Sequence, residues 1–262
     1  MKDLVSIITP TYNCGRFIAE TIRSVQAQTY TDWEMLIVDD CSTDDTESVV
    51  AGFIAADSRI HYIQNDRNSG AALTRNRALR EARGRWIAFL DSDDLWLPEK
   101  LERQIAFMLE HGYHFSYHEY VEVDESSHEL GIHVSGIRRV GRLGMYTCCW
   151  PGCLSVMYDR SVVGLVQIND VKKDNDSLMW LHVITHADCH LMPEVQAKYR
   201  RRQGSITPPG LFKRTWAHYT LFHDGAGMPS FPSFFWMCMN TIGFAYKKLC
   251  FVKKYDTSTI AY

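Results

Sequence analysis

Asp91-Ser92-Asp93-Asp94 closes the apolar run Trp86-Ile87-Ala88-Phe89-Leu90. Three carboxylates within four residues repel one another unless a cation stands between them. A hard divalent ion such as Mn2+ or Mg2+ relieves that repulsion, because such ions prefer oxygen ligands. Magnesium sites often combine one or two carboxylates with substrate phosphates. The motif therefore points to metal-assisted handling of a phosphorylated substrate. Three further polar clusters also end apolar runs: Thr9-Pro10-Thr11-Tyr12-Asn13, Asp39-Asp40-Cys41-Ser42 and Asn65-Asp66-Arg67-Asn68-Ser69-Gly70.

The elements that must position these clusters alternate between strand and helix. Residues 4–9, 33–38, 60–64 and 86–90 are short apolar runs with strand character. Between them, 17–28, 43–54 and 71–82 have helical spacing, and a further helix opens at Pro98 and runs to about residue 110. Ser42 or Thr43 serves as a cap for the second helix, and Gly84 lies just past the third. Strands alternating with helices at this spacing predict βαβ units and a mostly parallel sheet covered on both faces. All the carboxyl ends of such a sheet share one edge, and ligands bind outside that edge near a topological switch point. Beyond residue 112 the pattern loosens. A strand is expected over 113–123, a polar loop over 124–128, and a Gly- and Arg-rich loop with a short hairpin over 131–147. A strand at 154–157, a helix at 177–184 and an extended segment at 189–199 follow.

The chain has 262 residues, 46% of them hydrophobic, which is enough for one large domain with an appendage. The formal charge of -3 gives no reason to expect a nucleic-acid partner. Basic residues do gather late, at Arg200-Arg201-Arg202 and at Lys247, Lys248, Lys253 and Lys254, where they either face anionic phosphates or lipid or form a solvated surface. The eight cysteines include no C-x-x-C pair, so the close set Cys148, Cys149 and Cys153 reads as reduced thiols rather than a zinc site. Reduced thiols suit the cytoplasm. The amino terminus lacks a signal-peptide core, and no apolar stretch reaches about 18 residues. A soluble or peripheral protein is expected. The eleven histidines lack H-E-x-x-H spacing; His182, His186 and His190 have helical spacing, but Asp188 and Cys189 fall where that helix should end.

The residues from Ser6 to Asn13, from Val38 to Asp44, from Asn68-Ser69-Gly70 to Arg75-Asn76, and from Phe89 to Asp94 resemble, in order and spacing, the motifs of family 2 glycosyltransferases. The resemblance covers about the first 110 residues closely and continues more faintly to about residue 207. It implies an α/β GT-A fold, a Rossmann-like sheet flanked by helices with an acceptor-side extension at the carboxyl end. Residues 1–110 would be the nucleotide-sugar half of one domain, 111–210 the acceptor and catalytic-base half, and 211–262 a helical extension. Asp40 matches the acid that hydrogen-bonds the uracil of a UDP-sugar, with Asp39 beside it. Thr9 and Tyr12 match the loop packed on the nucleoside, and Arg75 matches a basic residue near the nucleotide. Asp91-Ser92-Asp93 matches the D-x-D motif, in which Asp93 ligates the metal and Asp91 lies near the ribose and metal. Asp176 matches the catalytic base at a helix start. The acid usually found just before it is Asn175 here, and Asp174 is the alternative base. Arg202, with Arg200 and Arg201, matches a segment that closes over the phosphates.

These matches imply an inverting, metal-dependent transferase that uses Mn2+ or Mg2+. Its donor would be a UDP-sugar. Its acceptor would be a hydroxyl of a saccharide or lipid-linked saccharide in bacterial surface-polysaccharide synthesis. No Gln-x-x-Arg-Trp segment is present, which favours transfer of a single sugar over polymer synthesis. A nucleotidyltransferase would need a Gly-rich basic loop after the first strand, and a dehydrogenase a G-x-G-x-x-G; neither occurs. A non-catalytic binding protein with the same fold is the remaining alternative. Residues 231–252 form an aromatic, Lys-flanked helix whose partner is either a membrane surface or protein, the core or a second subunit. A membrane contact through 231–254 would place the protein at the inner face of the cell membrane.

Overall fold

The computed structural model describes residues 3–202 and 211–256. In chain order the elements are β1 (Val5–Thr11), α1 (Gly15–Gln26), β2 (Trp33–Asp39), α2 (Thr46–Ala56), β3 (Ile60–Gln64), α3 (Gly70–Glu81) and β4 (Trp86–Phe89). There follow β5 (Leu95–Trp96), α4 (Lys100–His111), β6 (Phe115–Val123), β7 (Glu129–Val134), β8 (Arg139–Val140) and α5 (Arg142–Thr147). The chain continues with β9 (Met157–Asp159), α6 (Arg160–Val163), α7 (Asn175–Val183), β10 (Cys189–Arg200), α8 (Leu211–Thr220), α9 (Ser230–Cys250) and β11 (Val252–Lys254).

One sheet runs through the molecule in the order β11-β7-β6-β9-β4-β1-β2-β3, with β5, β8 and β10 joined to its side. The strands β3, β2, β1 and β4 are parallel neighbours. Beyond β4 the pairing changes: β9 runs antiparallel to both β4 and β6, whereas β10 is parallel to β6. The expectation of a mostly parallel sheet thus describes the amino-terminal half, and antiparallel pairs build most of the other. The register sets Thr11 opposite Asp39 and Asp39 opposite Gln64, so the first three strands end level with one another. Chain order moves from β1 out to β3 and then returns to β4 on the other side of β1. The switch point therefore lies between the ends of β1 and β4.

Side chains alternate across the central strands, as the period of two requires. Val5 and Ile7, Met35 and Ile37, and Trp86 and Ala88 pack with Ile18, Ile22 and Val25 of α1 and with Leu101, Ile105 and Met108 of α4. Ile8, Leu36, Val38, Ile87 and Phe89 pack on the opposite face with Ala78 and Leu79 of α3 and with Leu178, Trp180 and Leu181 of α7. The Trp180 ring stands edge-on against Phe89, with centroids 4.9 Å apart. That contact brings the start of α7 to the end of β4.

Several expected boundaries moved. The stretch 131–147 contains α5 as well as β7 and β8, so a helix occupies part of the expected loop. Its only fully buried side chain is Met145, and such a short helix leaves no long apolar periodicity to read. The strand expected at 154–157 begins instead at Met157, after a single 3-10 turn at Cys153–Ser155. The carboxyl-terminal segment is helical through α8 and α9, but β11 returns to the sheet and pairs with β7.

Candidate active site

The loops after β1 and β2 carry residues in the left-handed region, Asn13 at φ 49° and Cys41 at φ 64°. Non-glycine residues are rarely held there, and such strain concentrates at functional sites. Here the loops fix each other: Asn13 accepts from the Thr43 amide at 2.8 Å, and the Asn13 amide donates to Ser42 Oγ at 2.8 Å. Asp39 is fully buried. It accepts from the amide and hydroxyl of Ser42 and from Tyr62 Oη, so it shapes the turn with both oxygens engaged. Asp40 accepts from the Asn65 side chain and the Ser69 amide at 2.8 Å, and from the Gly70 amide at 2.7 Å. Gly70 has φ 82°, which a side chain would strain. Asp40 thus ties the loop after β3 to the end of β2. Thr9 is buried on β1 and its hydroxyl has no hydrogen-bond partner. Tyr12 is half exposed, with its ring available beside the same edge.

The 91–94 turn is held from two sides. Thr21 of α1 donates its hydroxyl to the carbonyls of Ser92 and Asp94 at 3.0 and 2.9 Å. The Arg200 amide donates to Asp94 Oδ1 at 2.9 Å, and the Arg200 side chain donates to the Asp93 carbonyl at 2.7 Å. The four carboxylate-rich residues then diverge. Asp91 pairs with the buried Arg75 of α3, whereas Asp93 pairs with Arg202. Burial pushes the Asp93 pKa above the ordinary value; Arg202 pulls it down only in part, and repulsion from Asp91 adds a little to the rise. Burial raises Asp94 further, with Asp93 and Asp91 adding to it.

Arg75 is the link to the second half. One of its terminal nitrogens donates to Asp91 and the other to the Asn175 side chain, 100 residues away in sequence. Burial disfavours the cation, yet Asp91 and Asp176 outweigh that and hold its pKa up. Asn175 therefore does, as a neutral acceptor, what an acid at that position would do for Arg75. Asp176, next in the first turn of α7, is half-buried and accepts from the Ser177 amide at 2.8 Å. Burial raises its pKa, while Arg75 pulls the other way. Asp174 precedes the helix at φ 53°.

The basic triplet splits into three roles. Arg200 is buried, donates to the Asp124 and Glu125 carbonyls and pairs with Glu20. Arg201 turns away to Glu122. Of the three guanidinium groups only that of Arg202 pairs with a carboxylate of the 91–94 turn, and residues 203–206 of the same motif lie outside the described residues. No motif marks Thr21, and the motifs that hold Asn65 and Arg200 do not reveal them as clamps. Each acts on a backbone or side-chain partner in another segment.

A divalent ion fits the chemistry of this edge. The donors are hard oxygens, and a cation, Arg202, already balances Asp93. Among the described residues no three His, Cys, Asp or Glu side chains converge into a closed cage. The arrangement matches an open site in which one or two carboxylates act with substrate phosphates. Fold and edge together define a sugar-nucleotide transferase of the GT-A type.

Comparison with known proteins agrees. Residues 6–147 match the model of glycosyl transferase family 2. The chain is 38% identical over 221 residues to the putative teichuronic acid biosynthesis glycosyltransferase TuaG of Bacillus subtilis, covering 83% of this chain and 88% of that protein. It is 39% identical over 220 residues to WfgD of Escherichia coli, a UDP-Glc:alpha-D-GlcNAc-diphosphoundecaprenol beta-1,3-glucosyltransferase, covering 81% and 84%. The fold is similar to that of S. aureus TarS 1-349 in complex with UDP-GlcNAc, with TM-score 0.70 at 19% identity over 95% of this chain and 74% of that one. A mannosyltransferase from Pyrobaculum calidifontis, solved with GDP-Man and Mn2+, gives TM-score 0.62 at 18% identity over 94% and 70%. The chain belongs to glycosyl transferase family 2.

Proposed function

We propose that this glycosyltransferase is metal-dependent and inverting, and that it moves one hexosyl or N-acetylhexosaminyl unit from a UDP-sugar to a hydroxyl of a saccharide or lipid-linked saccharide. The observation that carries the reading is the Arg75 bridge. It joins Asp91 at the donor edge to Asn175 beside Asp176, so an acid of raised pKa stands next to the place where a sugar diphosphate would lie.

In this reading Thr9, Tyr12 and Asp40 receive the nucleoside, and Asp39 supports the loop that presents them. Asp93, with Asp91 beside it, would hold Mn2+ or Mg2+, and the bound ion would neutralise charge on the departing diphosphate. Arg202 is placed to exchange its partner Asp93 for that diphosphate, since guanidinium pairs well with phosphate. Asp176 takes the acceptor proton as the hydroxyl oxygen attacks the anomeric carbon. The bond to the UDP oxygen breaks on the opposite face, and the anomeric configuration inverts. The glucosyltransferase activity of WfgD supports UDP-glucose as a donor to try first, and the TarS complex supports UDP-GlcNAc as a second. All eight cysteines are unpaired thiols, which favours a reducing compartment such as the cytoplasm.

The test is calorimetric titration of UDP into the protein with and without Mn2+. Binding that tightens at least tenfold with Mn2+, and loses that gain in Asp93→Ala, is the expected result. Equal UDP affinity with and without the ion would remove the metal from the reading.

A further inference from the structure

We propose that the outer face of α9 seats the enzyme in the headgroup layer of an anionic lipid bilayer. The helix has two faces of opposite character. Its inward face is fastened to the domain. Asn240 donates to the Tyr146 carbonyl at 3.1 Å, and Lys247 donates to the carbonyls of Cys149 and Trp150 at 3.1 and 2.7 Å. Gly243 lies so close to α5 that an added Cβ would meet the Thr147 carbonyl oxygen at 2.0 Å. The helix is therefore held in one rotation, and its other face cannot turn inward.

That other face is apolar and open. Phe231, Phe235, Ile242, Tyr246 and Leu249 recur at intervals of four, seven, four and three residues, which sets them on one stripe. Phe231 and Leu249, at its two ends, are 82% and 83% exposed, so no described residue covers the stripe at either end. Every exposed Phe or Trp among the described residues lies on α8 or α9. Scattered exposed apolar residues need no explanation, but an aromatic stripe gathered on one helix does.

Charge selects the occupant. From Ala226 to Tyr255 the chain contains no Asp or Glu and four Lys. Lys247 is used inside, which leaves Lys248 on α9, and Lys253 and Lys254 on β11 just past its carboxyl end, exposed. Aromatic residues followed by exposed lysines in an acid-free segment complement anionic headgroups. No described helix is long and apolar enough to cross a membrane, and Asn240 and Lys247 on the inward face hold α9 parallel to the protein surface. The short helix α5 packs against both α9 and α7, the helix that carries Asp176. One short helix thus stands between the proposed bilayer contact and the candidate base. Resting on the transferase reading for its consequence, it favours an acceptor presented from the bilayer, a lipid-linked saccharide.

The test is flotation of the full chain with vesicles, without nucleotide. Wild type should float with phosphatidylglycerol–phosphatidylcholine vesicles at least tenfold more than with phosphatidylcholine alone. The variant Phe231→Ser/Ile242→Ser/Leu249→Ser should lose at least tenfold while its thermal melt and UDP binding stay unchanged. Lys248→Glu/Lys253→Glu/Lys254→Glu should lose the preference for anionic vesicles, and it tests the proposal even if the serine variant is poorly folded. Absence of flotation by wild type, or equal flotation of wild type and both variants, overturns it. So does a dimer, detected by light scattering, that the serine variant dissolves. UDP titration on the same samples separates the two readings: vesicle binding without UDP binding would keep the surface and remove the transferase site, and the reverse result would do the opposite.

Discussion

The ends of β1 to β4 and the start of α7 both present carboxylates, yet they are secured in different ways. At the strand ends, Asp39 and Asp40 are satisfied by short loops within about 30 residues of them, through Ser42, Tyr62, Asn65, Ser69 and Gly70. Three level strands, β1 to β3, carry those loops. Asp176 has no such local frame. Its helix is placed by Trp180 against Phe89 and by Asn175 against Arg75, contacts that span about 90 and 100 residues. In the first region the candidate binding groups are preset by sheet geometry. In the second the candidate base is positioned by contacts between the two halves of the sheet. Binding and chemistry should therefore be separable by mutation, and the bridge between them should be structural as well as functional.

The sharpest way to break this division is Asp176→Asn. The amide cannot take a proton, and removing a positioned base costs about a thousandfold in turnover. UDP affinity with Mn2+ should remain within about twofold, because the strand ends are untouched. Wild-type turnover in the folded variant would move the base elsewhere, with Asp174 the next candidate. The pH profile gives a second reading. Burial raises the Asp176 pKa above the ordinary 3.8, and the base works only when ionised. The acidic limb of kcat/KM should then lie above the ordinary carboxylate range, with activity rising as pH increases through it.

The bridge itself is tested by Arg75→Met. The substitution fits an apolar side chain of similar length but leaves Asp91 and the Asn175 carbonyl without their donor. Breaking a fully buried pair costs about 3–5 kcal/mol. Asp91 keeps 31% of its side chain exposed and can be hydrated, so a loss of about 2–3 kcal/mol in a denaturant melt is expected. If stability were unchanged, Arg75 would serve ligand alone and the two regions would not be coupled through it.

The same contrast explains what was legible in the sequence. The parallel order of β1 to β4 and the clustering of their polar ends follow from apolar runs and turn residues that lie side by side in the chain. The role of Arg200 did not. It ends a long strand, β10, and its partners at Asp93, Asp124 and Glu20 come from three other segments. Charge runs look alike whether they face solvent or clamp a turn, and only the register of β10 with β6 separates Arg200 from Arg201. Likewise Asn175 read as a departure, although it keeps the hydrogen bond and changes only the charge. The short helix α5 carried too little periodicity to be told from loop.

The smallest effect concerns Asp94, which belongs to the donor edge but faces inward. It is buried, and its Oδ1 accepts from the Arg200 amide. Asp94→Asn keeps an acceptor for that amide and removes a buried charge repelled by Asp93 and Asp91. An acid whose folded pKa is raised binds its proton more tightly in the folded state than in the unfolded one. Its ionised form therefore costs stability in full above the raised value, less as pH falls towards the ordinary 3.8, and nothing below it. The Asn variant should gain about 1 kcal/mol near pH 7, and melts at successively lower pH should bring the two proteins together. The carboxylates of this turn titrate as a set, so the convergence should be gradual rather than a single step. A variant less stable than wild type at pH 7 would mean that attraction to the Arg200 guanidinium outweighs the repulsion. The turn would then be held by charge pairing, and the strand ends would not be as self-sufficient as their local hydrogen bonds imply.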